Sequence, residues 1–430
     1  MTDTWRTGAA RHPLPPLLGV ALLALAIPAY ATDGPDPMEI GAKPQSVRSF
    51  EIYGFAETDG IHDFQRMDPN WSDAFRPSKI GVDDPNIGVA EPFGANGESS
   101  MSVKQSRFGV KGAMPTADGY APINFKFEFD LFGVGANAGQ TTFRLRHVYG
   151  EWGSLLAGQT NSLFMDIDVF PNTIDYWGPS GMVFLRNPQI RWTPYQTGSM
   201  HLSIAIEKPG NDIDAGNTRE IEGIPNTLSV QNREPWPDLT AQWRIDGGWG
   251  QFQAAGIVRD VGFEYQPTQA DRYTTGSQTG WGINLASAIK TIGRDQLLLQ
   301  AVYGKGIASY MNDGGMDLAP NANYCSGTVC GLTTEAVPLT GVLAYYDHYW
   351  SEKWSSSIGY SFTRVDNTNF QTPATFHQGD YASVNLLFYP VAKVMIGAEG
   401  LWGERLNNDG SSGHDARIQL SVKYDFGIQL

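Results

Sequence analysis

The chain has 430 residues, with 30 Lys and Arg against 45 Asp and Glu, and a formal net charge of −15. This acidity argues against nucleic acid as a partner, because a phosphate backbone attracts basic surfaces. Aromatic residues make up 12% of the chain, 49 residues are Gly, and no segment has convincing helical periodicity, so the composition favours an all-β protein.

The first 31 residues are predicted to be a secretory signal peptide. Basic residues precede an apolar run from Leu14 to Tyr30, and the tripeptide ending at Ala31 offers small residues for cleavage. The alternative, a membrane-anchoring helix, is disfavoured because prolines interrupt the run. Residues 32–49 are polar and contain prolines, so we expect a short periplasmic lead-in.

Residues 50–430 are predicted to form a transmembrane antiparallel β-barrel of about sixteen strands. Apolar residues occupy alternate positions, without a break from Ala416 to Leu430, so one face of this last strand is wholly apolar. An open sheet edge is not tolerated in hydrocarbon, and the last strand is therefore expected to pair with the first. The predicted strands lie near 50–57, 101–113, 123–131, 141–152, 154–161, 182–193, 200–208, 237–246, 250–261, 278–290, 295–305, 337–350, 354–365, 378–389, 393–405 and 414–430.

The connections between these strands alternate in length, with short turns such as 247–248 and long loops such as 306–336. Outer-membrane barrels place short turns in the periplasm and long loops outside the cell. At about sixteen strands the interior is too wide for strand side chains to fill, so an aqueous channel is expected. Tyr and Trp crowd the strand ends, which predicts aromatic girdles; ordinary core aromatics are the alternative.

Strand alternation selects candidate pore-lining cations. Arg144 and Arg146 lie two apart and share one face, while Phe143 and Leu145 take the other face, which is expected to meet lipid. The basic pair is therefore assigned to the lumen, where water makes charge tolerable.

The same reasoning extends the candidate basic ladder to neighbouring strands. Lys126 and Arg107 also alternate with apolar residues and are assigned to the lumen. Arg186 and Arg191 differ in parity, so both reach the lumen only if the chain bends at Asn187-Pro188. The alternative is that these cations are neutralised by carboxylates, namely Glu128, Asp130 and Glu151.

The loop 161–181 follows the fifth predicted strand and is a candidate for an infolded constriction. It carries Asp166, Asp168 and Asp175, and carboxylates facing an arginine wall would create a transverse field across the pore. An outward surface loop is the alternative.

Other chemistry has weak support. Cys325 and Cys330 lie close together in a polar stretch and are predicted to form a local disulfide in an oxidising compartment. No cofactor and no metal site is predicted, because the histidines are scattered and the Asn/Asp/Gly clusters are typical of turns. His201 and Ser203 share a face, but no Gly-x-Ser-x-Gly motif accompanies them, so an enzyme is not predicted.

Ser106–Gly112 resembles the second-strand signature of general bacterial porins. Together with Phe143–Gly153, Leu155–Thr160 and Arg186–Trp192, it is most similar to the DcaP-like trimeric outer-membrane porins. The resemblance implies a homotrimer in outer-membrane lipid that passes small anionic solutes, dicarboxylates among them. The family often has a helical N-terminal segment, for which the lead-in here is too short. The alternatives are a non-conducting structural or adhesive barrel and a barrel-borne lipid hydrolase.

Overall fold

The computed structural model describes residues 48–83, 92–117, 120–133, 141–210, 230–265, 272–320, 325–326, 329–330 and 333–430. The predicted signal peptide and all but the last two residues of the lead-in lie outside this part of the chain. Among the described residues, no helix is both long and apolar enough to cross a membrane.

Sixteen antiparallel strands form a closed barrel, which confirms the predicted fold class and every predicted strand to within a few residues at most ends. Each strand pairs with its neighbours in sequence, and the first pairs with the last. In chain order the strands are Ser49–Asp63, Glu98–Ser102 with Arg107–Met114, Ile123–Asp130, Arg144–Trp152, Leu155–Asn161, Arg186–Gln196, Met200–Glu207, Val230–Arg233 with Asp238–Gly247, Gly250–Tyr265, Thr274–Lys290, Gln296–Lys305, Pro338–Tyr349, Trp354–Val365, Phe376–Phe388, Val394–Asn407 and Ser412–Gln429. The second and eighth strands are each interrupted, and both halves pair with the same neighbouring strand.

The closing pair of strands shows how the sequence sets the two faces. Glu51 pairs with Gln429 and the ladder runs without a shift to Asp63 and Arg417. On the last strand Leu420 is 57% exposed on the outer face, whereas Gln419 beside it is fully buried inside. The alternation read from the sequence therefore corresponds to an apolar exterior and a polar interior.

The two ends of the barrel differ. One end has turns as short as Gly153-Ser154 and Gly248-Trp249, and the other has the connections 64–97, 162–185 and 306–337. In outer-membrane barrels the short-turn end is periplasmic. Exposed tryptophans flank these short turns, at the headgroup level that indole rings prefer: Trp152, Trp192, Trp243, Trp249, Trp350 and Trp354.

Three connections of the long-loop end fold back into the barrel. They are residues 64–83, 162–185 and 306–317, and each contributes side chains that are almost fully buried, such as Phe75, Phe164 and Tyr310. The sixth strand begins at Arg186 rather than at the predicted residue 182, because 182–184 hydrogen-bond with 310–312 instead.

The infolded connections fill part of the lumen, and they include residues 64–83 and 306–317 in addition to the segment that the sequence indicated as a candidate. Inner-face residues of the later strands are apolar here, for example Ile257, Leu298 and Leu339, and they pack against the infolded connections in one buried cluster. This apolar packing removes apolar surface from water and holds the connections in place. A cavity remains open between the connections and the remaining inner wall.

Candidate functional site

A bulge in the fourth strand places two consecutive side chains inside the barrel. The pairing with the third strand shifts, so that Glu128 pairs with His147 and Phe129 with Leu145, which leaves Arg146 as the extra residue. Arg146 and His147 are both almost fully buried. Strict alternation in the sequence also assigns Arg146 to the inside but gives no sign of the bulge.

Glu128 is the centre of one group of predicted cations. Its carboxylate lies 2.7 Å from Nε of Arg146, 3.2 Å from Nζ of Lys126 and 3.6 Å from Nε of Arg107. Three cations on three strands thus share a carboxylate, as the neutralised alternative anticipated for Glu128. Each of these cations has a carboxylate partner, and together they hold the wall of the barrel.

Asp130 neutralises Arg144 in the same way. Nη2 of Arg144 lies 2.6 Å from Asp130 Oδ2, and Nη1 of Arg146 lies 3.0 Å from the same oxygen. Tyr176 of the infolded segment contacts both guanidinium groups through its hydroxyl group. Tyr176, rather than one of the loop aspartates, is therefore the residue that joins the infolded segment to the arginine wall.

The last two predicted cations lie apart from each other. Arg191 shares the inner face with Gln189 and hydrogen-bonds its Oε1 at 3.1 Å, so it needs no bend to lie inside. Arg186 begins the sixth strand, stacks on Phe184 with its Cζ 4.8 Å from the ring centroid, and donates to the Tyr176 hydroxyl at 3.3 Å. The structure brings Arg186, but not Arg191, to the cluster around Tyr176.

Two of the loop aspartates face a different cation from the one expected. Asp166 lies 3.5 Å and Asp168 2.6 Å from the guanidinium of Arg244 on the eighth strand. Gln251 Nε2 also donates to Asp166 at 2.8 Å. Burial raises the pKa of Asp166, and the positive charge of Arg244 opposes that rise. This pairing differs from the expected opposition to the arginine wall, because the segment contacts the eighth strand at 166–168 and the arginine wall at Tyr176.

Asp175 is fully enclosed and anchors the infolded segment. Its carboxylate accepts hydrogen bonds from the backbone N–H of Phe75 and of Gly178, both at 2.9 Å, and from the Tyr381 hydroxyl at 3.2 Å. Burial raises the pKa of Asp175 to about 6, against the opposing influence of Arg417. The residue thus ties two infolded connections to each other and to the barrel.

The predicted disulfide concerns a short ladder at the long-loop end. Cys325–Ser326 pairs with Val329–Cys330, and Cys325 lies directly opposite Cys330. The positions of their side chains lie outside what the structure describes, so the disulfide stays a prediction.

A cavity of about 630 Å³ lies on the extracellular side of these contacts, and we call it the basic vestibule. Five cations and one carboxylate line it within the described residues: Arg76, Lys79, Arg144, Arg186, Arg405 and Asp313. Tyr176 and Trp177 of the infolded segment form part of its wall. Positively charged side chains therefore dominate the lining of this cavity, although the chain as a whole is acidic.

Two of the five vestibule cations are neutralised. Arg76 donates to Asp313 Oδ1 from Nε at 3.0 Å and from Nη2 at 2.9 Å, in addition to the pairing of Arg144 with Asp130. Asp313 also accepts the Ser78 backbone N–H at 2.8 Å, so it joins two infolded connections.

The other three vestibule cations have no ion pair with any carboxylate in the described part of the chain. Arg405 donates only to neutral acceptors, among them the carbonyl oxygens of Ser78 at 3.0 Å and Ala374 at 3.2 Å. Nη1 of Arg186 is buried and has no hydrogen-bond partner among the described residues. Burial, and next the positive charge of Arg76, lower the pKa of Lys79. Lys79, Arg186 and Arg405 therefore present uncompensated charge to the vestibule.

Sequence reasoning identified only Arg186 of these three. Arg405 lies on the predicted strand 393–405, on the same face as Glu399 and on the opposite face from Trp402. Strand alternation therefore assigns Arg405 to the lumen. Lys79 lies in a long connection without any periodic pattern, and no sequence signal indicated that this connection enters the barrel.

Replacing Arg146 by Gln is expected to destabilise the barrel far more than replacing Arg144 by Gln. The Arg146 side chain is 7% exposed and that of Arg144 is 28% exposed. Removing one partner of a buried ion pair costs about 3–5 kcal/mol, because the other charge stays buried and unpaired. The measurement is the temperature at which the folded band converts to the unfolded band in gel electrophoresis. Equal shifts for the two variants would contradict this assignment.

Comparisons with known proteins agree with this architecture. A family model described as DcaP outer membrane protein matches residues 49–426. The crystal structure of the outer-membrane channel DcaP of Acinetobacter baumannii is similar at a TM-score of 0.68 and 22% identity, over 90% of this chain and 99% of that one. Among curated protein sequences, no match was found.

More distant porins share the fold. OmpF of Salmonella typhi, solved with daunomycin, is similar at a TM-score of 0.53 and 12% identity, over 88% of this chain and 97% of that one. An anion-selective porin from Comamonas acidovorans is similar at 0.51 and 9% identity, over 88% and 100%. At these identities the likeness is one of fold.

Proposed function

This chain belongs to the DcaP outer membrane protein family, and we propose that it serves as an outer-membrane channel that admits small anions in preference to cations. The observation that carries the proposal is the set of three vestibule cations, Lys79, Arg186 and Arg405, without a carboxylate partner among the described residues. An anion entering the vestibule meets a positive potential that no neighbouring carboxylate cancels. Cations are repelled from the same space.

Small dicarboxylates are the solute class we propose. Guanidinium groups bind carboxylates through two parallel hydrogen bonds, and both Arg186 and Arg405 have such groups in the vestibule. A solute with two carboxylates engages two cations at once, and the second contact benefits from a high effective concentration. The contacts remain hydrated and few, so the solute is released again.

The proposal assigns no catalytic step. The Ser203 Oγ shares a hydrogen bond of 2.9 Å with Thr193 Oγ1, and within the described residues no hydrogen bond joins Ser203 to His201. We further propose that the protein is exported through a signal peptide within residues 1–31 and that it assembles as a homotrimer, as the family resemblance implies.

The wild-type protein in a planar bilayer under a KCl gradient is expected to give a zero-current potential of anion-selective sign, in conductance steps that come in threes. Succinate is expected to interrupt the chloride current at concentrations at which acetate does not, because acetate offers one carboxylate only. Cation-selective current, or equal effects of the two acids, would contradict the proposal. Folded protein without current would favour the non-conducting barrel.

A further inference from the structure

A second cavity of about 570 Å³ lies at the short-turn end of the barrel, which is the periplasmic end. Three cations line it, Arg294, Lys353 and Lys393, together with one carboxylate, that of Glu352. We call it the periplasmic mouth site. It is separate from the basic vestibule, and no residue lines both cavities.

The three cations come from three successive periplasmic turns. Arg294 lies between the tenth and eleventh strands, Lys353 between the twelfth and thirteenth, and Lys393 between the fourteenth and fifteenth. The Arg294 guanidinium lies 4.4 Å from the centroid of the Tyr349 ring. The Tyr389 backbone N–H donates to the Lys353 carbonyl oxygen at 2.9 Å, which joins two of the turns. The cations therefore form an arc along one side of the mouth.

The charge of this arc is not cancelled. Within the described residues none of the three cations forms an ion pair with a carboxylate, Glu352 included. Two further carboxylates lie beside the site without lining it: Asp295 accepts from His348 Nδ1 at 2.6 Å, and Asp347 accepts the Asn172 backbone N–H at 3.4 Å. The site thus has the excess positive lining that attracts an anion.

The wall of the site contains polar groups that are poorly satisfied. Ser355 is 1% exposed, and its Oγ has no hydrogen-bond partner among the described residues. The side-chain amide of Asn172 donates only at 3.5 Å, to the Tyr389 hydroxyl. A buried hydroxyl group normally has a partner, so the Ser355 Oγ is available to a ligand, and the Asn172 amide has only one long hydrogen bond to give up.

The backbone at Lys393 supports the same assignment. Lys393 has φ 69° and is the only non-glycine residue with positive φ in the described part of the chain. This left-handed conformation favours glycine, so the lysine side chain stands at this turn against the backbone preference.

Asn172 connects the two cavities. It lies on the infolded segment that also carries Tyr176, and Tyr176 lines the basic vestibule and contacts its arginines. An anion that has passed the vestibule next meets the other side of the same segment. The cations at the mouth lie beyond this segment, at the periplasmic end of the barrel.

We propose that the periplasmic mouth site is a second anion-binding site, which takes the carboxylate group of the solute after it passes the infolded segment. The inference rests on the proposed function and adds a site to it. Such a site lowers the free energy of the anion at the exit. The anion then binds weakly in the vestibule and weakly at the mouth, and it is not trapped at a single strong site.

The test is the association rate of succinate with single channels, measured from current interruptions at low salt with succinate added to one side at a time. Arg294→Gln combined with Lys353→Gln and Lys393→Gln is expected to lower the association rate about tenfold from the periplasmic side, because the charges that steer the anion are gone. The rate from the other side and the anion-selective zero-current potential are expected to stay as in the wild type.

Two single variants separate the loss of these particular charges from a change in total charge and from misfolding. Lys290 flanks the same turn as Arg294 but does not line the cavity, so Lys290→Gln makes the same charge change and is expected to have less effect than Arg294→Gln. Lys393→Gly removes a charge and relieves the backbone strain, so a lowered rate in this variant is not due to misfolding.

An unchanged periplasmic rate in the triple variant, or equal effects of Lys290→Gln and Arg294→Gln, would overturn the proposed site. Neither result would disturb the anion preference of the wild type. Failure of the proposed function itself is recognised separately, because the wild-type channel would then show cation selectivity or no interruption by succinate from either side.

Discussion

Simultaneous replacement of Lys79, Arg186 and Arg405 by Gln is expected to abolish most of the anion preference of the channel. Each of the three side chains brings a positive charge to the vestibule that no described carboxylate balances. We take an effective dielectric constant of about 20 and screening by ~0.1 M salt. Each cation that lines the vestibule then lowers the free energy of an anion there by roughly 1 kcal/mol, which changes the permeability ratio about fivefold. The triple variant is therefore expected to lose more than an order of magnitude in the ratio of chloride to potassium permeability.

The measurement is the zero-current potential under a KCl gradient, which reports this ratio directly. A control variant replaces Lys208, Lys305 and Arg364 by Gln; it makes the same change in total charge on the outer face. Each of these residues follows an inner-face residue at the extracellular end of a strand, and none lines the vestibule. If both triple variants shifted the potential equally, the selectivity would arise from the overall charge of the protein and not from the vestibule.

Strand alternation predicted most of the barrel because it is a local property of the sequence. A strand with Phe143 and Leu145 on one face must present Arg144 on the other, whatever lies elsewhere in the chain. Lipid outside and polar groups inside then assign the two faces wherever one face of a strand is polar. The sixteen strands could be predicted because alternation is local and because the sheet has to close, as the pairing of the first strand with the last shows.

The interior was less predictable because it depends on contacts between distant residues. Arg76 and Asp313 are far apart in sequence and meet only because two connections fold into the barrel. Ile257 faces inward although it is apolar, since it packs against these connections instead of against water. No periodic pattern in a long connection shows whether it lies inside or outside, so Lys79 was not identified.

The infolded segment 162–185 forms part of the vestibule wall, and a buried carboxylate fixes its position. Glu399 on the fifteenth strand is 1% exposed and accepts the backbone N–H of Ile174 and of Asp175, both at 2.8 Å. Asn385 Nδ2 donates to the same carboxylate at 2.9 Å. One carboxylate therefore holds the middle of the segment against the barrel wall.

Replacing Glu399 by Ala is expected to release the middle of the segment and to raise both the conductance and the current noise of the open channel. The substitution leaves two buried N–H groups without an acceptor, and each costs about 1–3 kcal/mol. That cost is comparable with the free energy that holds a single segment in place, so positions away from the wall become populated. Glu399→Gln keeps one carbonyl acceptor and is expected to give an intermediate result.

Glu404 supplies the matched control, because it lies on the same strand with the opposite parity and faces outward. Glu404→Gln is expected to leave conductance and noise as in the wild type. If Glu399→Ala gave the same conductance and noise as Glu404→Gln, the bonds from Glu399 to the segment would not be what limits the pore. In that case the position of the segment would depend on its apolar contacts, among them Phe164 and Met182, and no single carboxylate would control the width of the channel.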